Sequence, residues 1–464
     1  MDTIFPGNPA RLRDHRVTLM GLGTFGGGVA AAKYLINNGA ALTITDAAAE
    51  EQLTKSLDEL GDYLDVVQEL SLGRHREEDF REAKLLVVNP AVLPDNEWVQ
   101  YSRRNHVPVT TELGLCWNEL RFVGAKISAV TGSNGKSTTA ALLHSLLDTY
   151  FARAWLGGNL GGSLLPDVDR IRVSDWAVLE VSSFQSHYLD SVEPGPHVAI
   201  VTNFSPNHLD WHCTLEHYRA SKQLLLDRQD WTGIAVLNAD DPPSRDWPVK
   251  GEKRLFGLTS DDQLLVNGER IDWPVLEWTG LKGRHHLANI AAAMTAAQAI
   301  GVPLEAMEAG LRKYTPLPHR LQRVGELAGR EFYNDSLATT PESAIAALHA
   351  FDQPIILLAG GYDKGSDLEP FAHAMSNRCK QVVLMGVTGE KLARHLDAMP
   401  HRTAEYTVAD DFKHALDLAW SGSEPGDVIL LSPGCASYGW FRDFRERGER
   451  FTQEFQRLCG EQAT

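Results

Sequence analysis

Short apolar runs alternate with longer helical patterns along most of the chain. Runs of buried-strand length recur at 17–20, 41–45, 85–88, 127–130, 176–181, 197–202, 234–237, 355–358, 382–385 and 428–431. After the run at 127–130, one helical face carries Leu142, Leu143, Leu146, Leu147 and Tyr150. Strands alternating with helices are typical of parallel sheets with crossover helices. The pattern therefore predicts an α/β protein with its α/β units in series.

Because 464 residues exceed what one core usually organises, two or three domains are expected, and the pattern of runs indicates three α/β units. The segment 107–113 completes the first unit. A helix that starts at Leu287 is expected to end at Gly301, and the helical pattern breaks near Pro316 and Pro318. We predict domains at 1–115, 116–316 and 317–464.

Composition restricts the functional classes. Apolar residues make up 43% and charged residues 23%, which indicates a folded globular protein. The formal charge of -17 disfavours general nucleic-acid binding. Five cysteines without a CxxC pair predict neither a disulfide framework nor a zinc site. With no secretory pattern at the start and no apolar run approaching about 18 residues, we expect a cytoplasmic protein without membrane insertion.

The first glycine-rich loop, GLGTFG at 21–26, follows the strand at 17–20. Gly21, Gly23 and Gly26 match G-x-G-x-x-G, and Asp46 lies 20 residues beyond the last of them. This arrangement is the dinucleotide-binding fingerprint. Taken alone, it favours an NAD-dependent dehydrogenase, which remains the main alternative from another enzyme class.

A second glycine-rich loop, TGSNGKST at 131–138, lies between a strand and an amphipathic helix. This arrangement wraps backbone N–H groups around phosphates, with a lysine reaching them and the next hydroxyl available to magnesium. Val130 stands where the general pattern has its first glycine, so the loop is a tighter variant. The predicted ATP-binding residues of the loop are Gly132, Ser133, Asn134, Gly135, Lys136, Ser137 and Thr138.

Further motifs occur in order over nearly the whole chain. They are EVSSFQ at 180–185, the segment 203–211, YRASK at 218–222, GRH at 283–285, LPHR at 317–320, NDS at 334–336 and SPGCAS at 432–437. Together with the phosphate loop, they resemble the Mur ligase family. Folylpolyglutamate synthases share the loop but lack the N-terminal unit. A protein that binds ATP without turnover is the non-catalytic alternative, and Lys136, Glu180 and His208 argue against it.

The resemblance implies an ATP-dependent ligase that joins glutamate, D-glutamate as the first choice, to UDP-N-acetylmuramoyl-L-alanine through an acyl phosphate. It implies a Rossmann-like first domain for the UDP substrate, a central P-loop-type domain for ATP and a Rossmann-like C-terminal domain for glutamate. A monomer acting in peptidoglycan precursor synthesis is expected.

Site residues are also implied by the resemblance. Catalytic roles fall on Lys136, Glu180, His208 and Lys222. Magnesium ligands are Ser137, Glu180, His208 and Lys222, the last as a carbamate. The junction residues that contact ATP are Asn289, Arg320 and Asp335, and His319 is expected to contact ATP or brace the hinge. Substrate-binding residues are Gly23, Thr24, Asp46, Asn159, Ser182, Gln185, Lys364, Ser437 and Phe444, with Gly360, Gly361 and Gly365 shaping the loop around Lys364.

One position departs from the family pattern. Leu337, in NDSLAT at 334–339, stands where the glutamate ligases have a lysine. A cation expected near the reacting phosphate is therefore absent, so no catalytic role is assigned to this position. An L-glutamate-adding relative of the same family remains an alternative.

Overall fold

Three mainly parallel β-sheets follow one another along the chain. The computed structural model describes residues 12–151, 153–190, 192, 194–363, 365–399 and 401–462. These residues divide into two compact units, 12–273 with 288–313, and 274–287 with 314–462. The α/β class is confirmed, whereas the boundaries after residues 115 and 316 stay predictions.

The first sheet is entirely parallel. Its strands are β1 (Arg16–Met20), β2 (Ala41–Asp46), β3 (Glu69–Leu72), β4 (Leu85–Val88) and β5 (Val109–Thr110). Their spatial order is β3-β2-β1-β4-β5. The helices of this part are α1 (Gly27–Asn37), α2 (Glu50–Leu60), α3 (Glu78–Arg81), α4 (Glu97–Arg104) and α5 (Glu112–Phe122). The glycine-rich loop leaves the carboxyl end of β1, the usual ligand edge of such sheets.

The second sheet is larger and mixed. Its strands are β6 (Lys126–Thr131), β7 (Ala154–Gly158), β8 (Trp176–Glu180), β9 (Val198–Val201), β10 (Ile234–Asn238), β11 (Glu252–Leu258), β12 (Leu264–Val266) and β13 (Glu269–Ile271). The order is β13-β12-β11-β10-β9-β6-β8-β7, with antiparallel pairing only among β11, β12 and β13. Its helices are α6 (Lys136–Phe151), α7 (Ser183–His187), α8 (Leu209–His212), α9 (Leu215–Asp227) and α10 (Pro242–Arg245).

The third sheet forms the second unit. After α11 (Val275–Thr279), α12 (Arg284–Ile300) and α13 (Leu304–Lys313) come β14 (Gln322–Leu327), β15 (Arg330–Asn334), β16 (Ile355–Gly360), β17 (Cys379–Met385), β18 (Glu405–Val408) and β19 (Val428–Leu431). The order is β14-β15-β19-β16-β17-β18, and only β14 and β15 pair antiparallel. The helices here are α14 (Pro341–Leu348), α15 (Glu369–Arg378), α16 (Gly386–Asp397), α17 (Phe412–Ser421) and α18 (Phe444–Gln462).

Helix α5 joins the first two sheets. It begins after Thr111, whose hydroxyl accepts a hydrogen bond from the Gly114 N–H at 3.2 Å. Its apolar residues lie in one core that includes strand residues of β1, β4, β6 and β9. The Tyr34 hydroxyl of α1 donates to Glu119 Oε1 of α5 at 2.6 Å. The cores of the two sheets are therefore continuous through α5.

The segment 107–113 contains β5 and the start of α5, whose N-cap is Thr111. Two local predictions were wrong. Helix α12 begins at Arg284 rather than Leu287, and the His286 ring within its first turn is buried and bonds the Lys282 carbonyl oxygen at 2.6 Å. Tyr150, in the last turn of α6, is 46% exposed, unlike the leucines predicted to share its face.

Gly28 tests the packing of α1 against the glycine-rich loop. A Cβ at Gly28 would overlap the Leu22 carbonyl oxygen, whereas one at Gly27 would meet no atom within 4 Å. We expect Gly28→Ala to lower the free energy of unfolding by about 1–3 kcal/mol, since a tightly packed site is overfilled. Gly27→Ala, the matched control, should be neutral or gain up to about 1 kcal/mol. Urea unfolding measures both, and equal stabilities would contradict the packing.

Candidate active site

The phosphate loop at 132–135 is held by the segment that follows β9. The Asn134 N–H donates to Asn203 Oδ1 at 2.9 Å, and Asn203 Nδ2 donates back to the Asn134 carbonyl oxygen at 3.0 Å. The Ser133 hydroxyl donates to the Ser205 carbonyl oxygen at 2.8 Å. These reciprocal bonds fix the loop before any phosphate arrives, as a preorganised anion site requires.

Two lysine side chains converge on the first carbonyl group of this loop. Lys136 Nζ donates to the carbonyl oxygens of Gly132 at 3.0 Å and Ser133 at 2.9 Å. Lys222 Nζ, from α9, donates to the same Gly132 oxygen at 2.6 Å. The predicted phosphate lysine and the predicted carbamate lysine are thus neighbours.

Lys222 is deeply buried, with 1% of its surface exposed. Its Nζ lies 4.6 Å from the centre of the Tyr218 ring. Burial lowers the pKa of Lys222 well below its usual value, the charge of Lys136 lowers it further, and Glu180 opposes the shift. The amine is therefore predisposed to the neutral form that reacts with electrophiles.

Glu180 ends β8, and in the sheet it is paired with Val130 of β6. Its carboxylate is buried, and Oε1 accepts a hydrogen bond from Asn159 Nδ2 at 3.0 Å. Oε2 has no hydrogen-bond partner among the described residues. A buried carboxylate oxygen without a donor is costly. A bound cation beside the phosphate loop would satisfy it.

Ser182 and Gln185, two predicted substrate-binding residues, lie at the start of α7. The Ser182 hydroxyl accepts from the Gln185 N–H at 3.2 Å, and Gln185 Oε1 accepts from the Ser182 N–H at 3.0 Å. This reciprocal pair is a capping box. The residues therefore hold α7 next to Glu180, and their contact with substrate stays a prediction.

His208 immediately precedes α8. It has a left-handed backbone with φ of 55°, and its ring centre lies 4.9 Å from that of Phe184. Ser137, which is half-buried, lies in the first turn of α6. Across the described ranges, no three His, Cys, Asp or Glu side chains form a group able to hold a metal. The predicted magnesium set consequently depends on the hydroxyl and on Lys222 as well as on Glu180 and His208.

Asn289 lies beside the phosphate loop. A Cβ at Gly135, where φ is 82°, would overlap Asn289 Oδ1. Thr139, in the first turns of α6, donates to the same oxygen at 3.5 Å. Asn289 therefore belongs with the phosphate loop, whereas the other two predicted junction residues, Arg320 and Asp335, lie in the second unit.

In the first sheet, Asp46 holds the glycine-rich loop. Asp46 Oδ2 accepts from the Gly23 N–H at 3.1 Å, and Oδ1 accepts from the Ala48 N–H at 2.8 Å. The carboxylate is buried, and Thr24 is exposed on the loop. Asp46 thus has a visible structural role, and its predicted contact with a nucleotide stays a prediction.

Asp335 anchors the predicted site of the second unit. Its Oδ2 accepts from the Ser432 hydroxyl at 2.8 Å, and its Oδ1 accepts from the Leu321 N–H at 3.1 Å. Burial raises the pKa of Asp335 to about 6, although the Ser432 bond and the charge of Arg320 oppose the shift. Next to it, Asn334 Nδ2 lies 3.1 Å from His319 Nδ1. His319 and Asp335 thus brace one segment.

Arg447 is a structural residue to which the sequence assigned no role. Its guanidinium is buried and donates to the Ser336 hydroxyl at 2.9 Å, the Ser336 carbonyl oxygen at 2.8 Å and the Cys435 carbonyl oxygen at 3.0 Å. The Ser336 hydroxyl in turn donates to the Phe444 carbonyl oxygen at 2.7 Å. The segments that carry Leu337, Ser437 and Phe444 are thereby tied together.

Other predicted residues of this unit have simpler outcomes. Ser437 is buried, and Leu337 is half-buried with its N–H bonded to the His319 carbonyl oxygen at 2.9 Å. Gly360 ends β16, as predicted, and Gly361 follows it. Lys364 lies outside the described residues. Asn203, Tyr218 and Arg447 escaped sequence reasoning, although Asn203 and Tyr218 lie inside the motifs at 203–211 and 218–222.

Comparison with protein families adds two matches. The family model described as Mur ligase middle domain matches residues 130–297, and that described as Mur ligase, glutamate ligase domain, matches residues 319–435. The first match contains the phosphate loop, Glu180, His208 and Lys222.

Relatives resemble the chain over nearly its whole length. The UDP-N-acetylmuramoylalanine--D-glutamate ligase of Roseiflexus sp. is 36% identical over 463 residues, covering 95% of this chain and 98% of the relative. The enzyme of the same name from Pelotomaculum thermopropionicum is 34% identical, covering 94% and 96%.

Solved structures share the fold. The UDP-N-acetylmuramate-alanine ligase MurC of Thermotoga maritima superposes with a TM-score of 0.60 at 19% identity, covering 96% of this chain and 99% of that one. MurF ligase of Thermotoga maritima in complex with ADP gives a TM-score of 0.59 at 16% identity, covering 100% of both chains.

Fold, phosphate loop and family matches together define an ATP-dependent amide-bond-forming ligase. The chain belongs to the Mur ligase family. The predicted family is thus confirmed, and the dehydrogenase alternative is set aside. In the part of the chain that the structure describes, no helix is long and apolar enough to cross a membrane.

Lys222 makes stability depend on pH. Between its lowered pKa and the usual value near 10.5, the unfolded chain binds a proton that the folded chain does not. The free energy of unfolding therefore falls by about 1.4 kcal/mol for each pH unit of acidification in that window. We expect Lys222→Met to be more stable than the unchanged protein at pH 7, with a margin that shrinks towards pH 10.5. The Gly132 carbonyl oxygen keeps its bond from Lys136.

Urea unfolding at pH 7, 8.5 and 10 measures the difference in the free energy of unfolding between Lys222→Met and the unchanged protein. Lys55→Met is the matched control, because the Lys55 side chain is 75% exposed and should give a pH-independent difference. A constant or inverted margin for Lys222→Met would show that the amine is charged in the folded protein.

Proposed function

We propose that this protein joins glutamate to UDP-N-acetylmuramoyl-L-alanine at the expense of ATP, in the synthesis of peptidoglycan precursors. The observation that carries the proposal is the 36% identity to a ligase of that name along 95% of the chain. The placement of Lys136, Lys222 and Glu180 around one phosphate loop supports it.

The reaction has two steps. A carboxylate oxygen of the acceptor attacks the γ-phosphorus of ATP, and ADP leaves. The amine of glutamate then attacks the acyl carbon, an amide bond forms, and phosphate leaves while the amine loses a proton. Both steps concentrate negative charge, so the loop N–H groups and Lys136 stabilise the transferring group.

Magnesium fits the unpartnered oxygen of Glu180, with Ser137 and His208 as further ligands. When bound, the ion would neutralise charge on the phosphates. Asn159 fixes the other Glu180 oxygen, so the carboxylate can present Oε2 in one orientation.

Lys222 is the proposed carbamate. Its neutral amine attacks carbon dioxide, an N–C bond forms, and one proton leaves. The product is an anion, which pairs with the Lys136 ammonium and adds a carboxylate-like ligand for magnesium. The lowered pKa and the position beside Lys136 support this assignment.

The remaining contacts follow the same proposal. Gly23, Thr24 and Asp46 hold the UDP group, and Asn159, Ser182 and Gln185 hold the muramoyl side of the acceptor. Asn289, Arg320 and Asp335 contact ATP. Glutamate binds Lys364, Ser437 and Phe444. A single chain suffices for the reaction.

Turnover provides the direct test. Phosphate release should require ATP, magnesium, the UDP-muramoyl-alanine acceptor and glutamate together. Lys136→Ala should reduce turnover by at least a hundredfold, on the order of one lost electrostatic contact to the transition state. Lys222→Ala should be inactive and partly restored by small carboxylates, and Lys222→Arg should stay inactive because arginine cannot form the carbamate.

The exposed Lys55→Met serves as the control and should keep full activity. Full turnover without the UDP substrate would refute the proposed acceptor. Normal activity of Lys222→Arg would refute the carbamate alone and leave the ligase standing.

L-Glutamate is the second candidate substrate, favoured by Leu337. An apolar, half-buried side chain stands there instead of a cation, so a pocket that has lost one positive charge holds the amino acid differently. A charged hydrogen bond contributes about 1.5–3 kcal/mol, roughly ten- to a hundredfold in rate. The enantiomer choice therefore depends on few contacts.

We expect D-glutamate to be preferred, and Leu337→Lys to raise kcat/KM for D-glutamate by roughly tenfold, within the range for one charged bond. Product formation with each pure enantiomer, at saturating ATP and acceptor, measures both. Leu337→Met is the matched control, because it keeps the volume without adding charge. A strong preference of the unchanged protein for L-glutamate would contradict the D-specific assignment.

A further inference from the structure

The segment 89–92 connects the glycine-rich loop of the first sheet with the histidine segment of the second. It leaves the carboxyl end of β4, the strand that pairs directly with β1. Both ends of this connection lie within the same compact unit. The hydrogen bonds of the segment 89–92 to the glycine-rich loop and to the histidine segment therefore lie within one folded unit.

On the first side, Asn89 packs against the glycine-rich loop. A Cβ at Gly21 would stand 2.7 Å from Asn89 Cβ, and one at Gly23 would stand 2.8 Å from Asn89 Nδ2. Asn89 Nδ2 lies 3.4 Å from the Gly21 carbonyl oxygen, and Asn89 Oδ1 accepts from the Ala91 N–H at 3.0 Å. Asn89 thus occupies the space that side chains at positions 21 and 23 would need.

On the second side, two buried aromatic residues hold the same segment. Trp211 Nε1 donates to the Ala91 carbonyl oxygen at 3.2 Å. The Tyr188 hydroxyl donates to the Val92 carbonyl oxygen at 2.9 Å. Both rings lie in a hydrophobic cluster with Met20 and Val88, the last residues of β1 and β4. The segment cannot shift without disturbing these rings.

Trp211 is also in direct contact with the turn that carries His208. The backbone N–H of Trp211 donates to the His208 carbonyl oxygen at 3.2 Å. The Phe184 ring centre lies 4.8 Å from that of Trp211 and 4.9 Å from that of His208. His208 keeps a left-handed backbone, which is uncommon for residues other than glycine and costs free energy. Trp211 and Phe184 are among the contacts that hold it, together with Asn207, whose Oδ1 accepts from the His208 N–H at 2.8 Å.

We propose that Trp211 is a positioning residue that couples occupancy of the glycine-rich loop to the placement of His208. The path runs from Gly21 and Gly23 through Asn89 and Ala91 to Trp211. A ligand that orders the loop would thereby order the His208 turn, and by linkage the effect is reciprocal. The inference rests on the proposed function for the identity of the ligand, a UDP-linked acceptor.

Calorimetric titration of UDP-N-acetylmuramoyl-L-alanine, without ATP or magnesium, tests the first half of the path. Trp211→Phe removes the Nε1 donor and keeps an aromatic ring. We expect its dissociation constant to rise roughly 3- to 10-fold, the effect of one lost hydrogen bond. Asn89→Ala should have a similar effect, and the double variant should be weaker by less than the product of the two.

The magnesium dependence of turnover tests the second half. In the unchanged protein, saturating acceptor should lower the magnesium concentration that gives half-maximal rate, and Trp211→Phe should lose most of that decrease. Tyr188→Phe, which removes one hydroxyl, provides a milder variant should Trp211→Phe fold poorly. Trp231→Phe is the matched control, since Trp231 is 81% exposed and should change neither measurement.

The outcomes separate the two proposals. Failure of the unchanged protein to bind the acceptor would refute the proposed function. Normal binding together with an unaltered magnesium response in Trp211→Phe and Tyr188→Phe would refute only the coupling. If the effects of Asn89→Ala and Trp211→Phe on the dissociation constant of the acceptor multiply in the double variant, the two residues act separately.

Discussion

The Gly132 carbonyl oxygen accepts hydrogen bonds from both Lys136 and Lys222, and the arrangement of the phosphate loop depends on this shared acceptor. One lysine is half-buried and the other is completely enclosed. Burial lowers the pKa of the enclosed Lys222 amine, and repulsion by the nearby Lys136 ammonium lowers that pKa further. A single backbone atom thus brings a cation and a reactive amine to the same place.

Polar groups whose burial is energetically unfavourable lie around this carbonyl oxygen. Glu180 has a buried oxygen without a partner in the described structure, and Lys222 has an amine that burial keeps from its preferred charge. Such features destabilise the folded state. Proteins retain them chiefly at sites where a ligand satisfies them. In the second unit, by comparison, the buried Arg447 guanidinium makes three hydrogen bonds to its neighbours.

Strands with uninterrupted apolar runs, such as β4 and β19, could be located from sequence to the residue. Strand β7 could not, since two of its five residues are glycines. Strand β12 is only three residues long, and β13, β14 and β15 contain too many polar residues for a buried-strand pattern. The phosphate loop was predictable from local spacing. Lys222 and Glu180 followed only from family resemblance. Asn203 and Trp211 act through contacts with residues more than 60 positions away, which no local pattern encodes.

Helix α5 has a consequence for exchanging parts between related ligases. Its apolar side belongs to a core common to the first two sheets, and Glu119 is bonded to Tyr34 of α1. A chimera cut before α5 would separate Tyr34 from its acceptor and expose apolar surface on both fragments. A graft that carries a foreign acceptor-binding sheet therefore has to bring its own α5, together with the residues of the second sheet on which that helix packs.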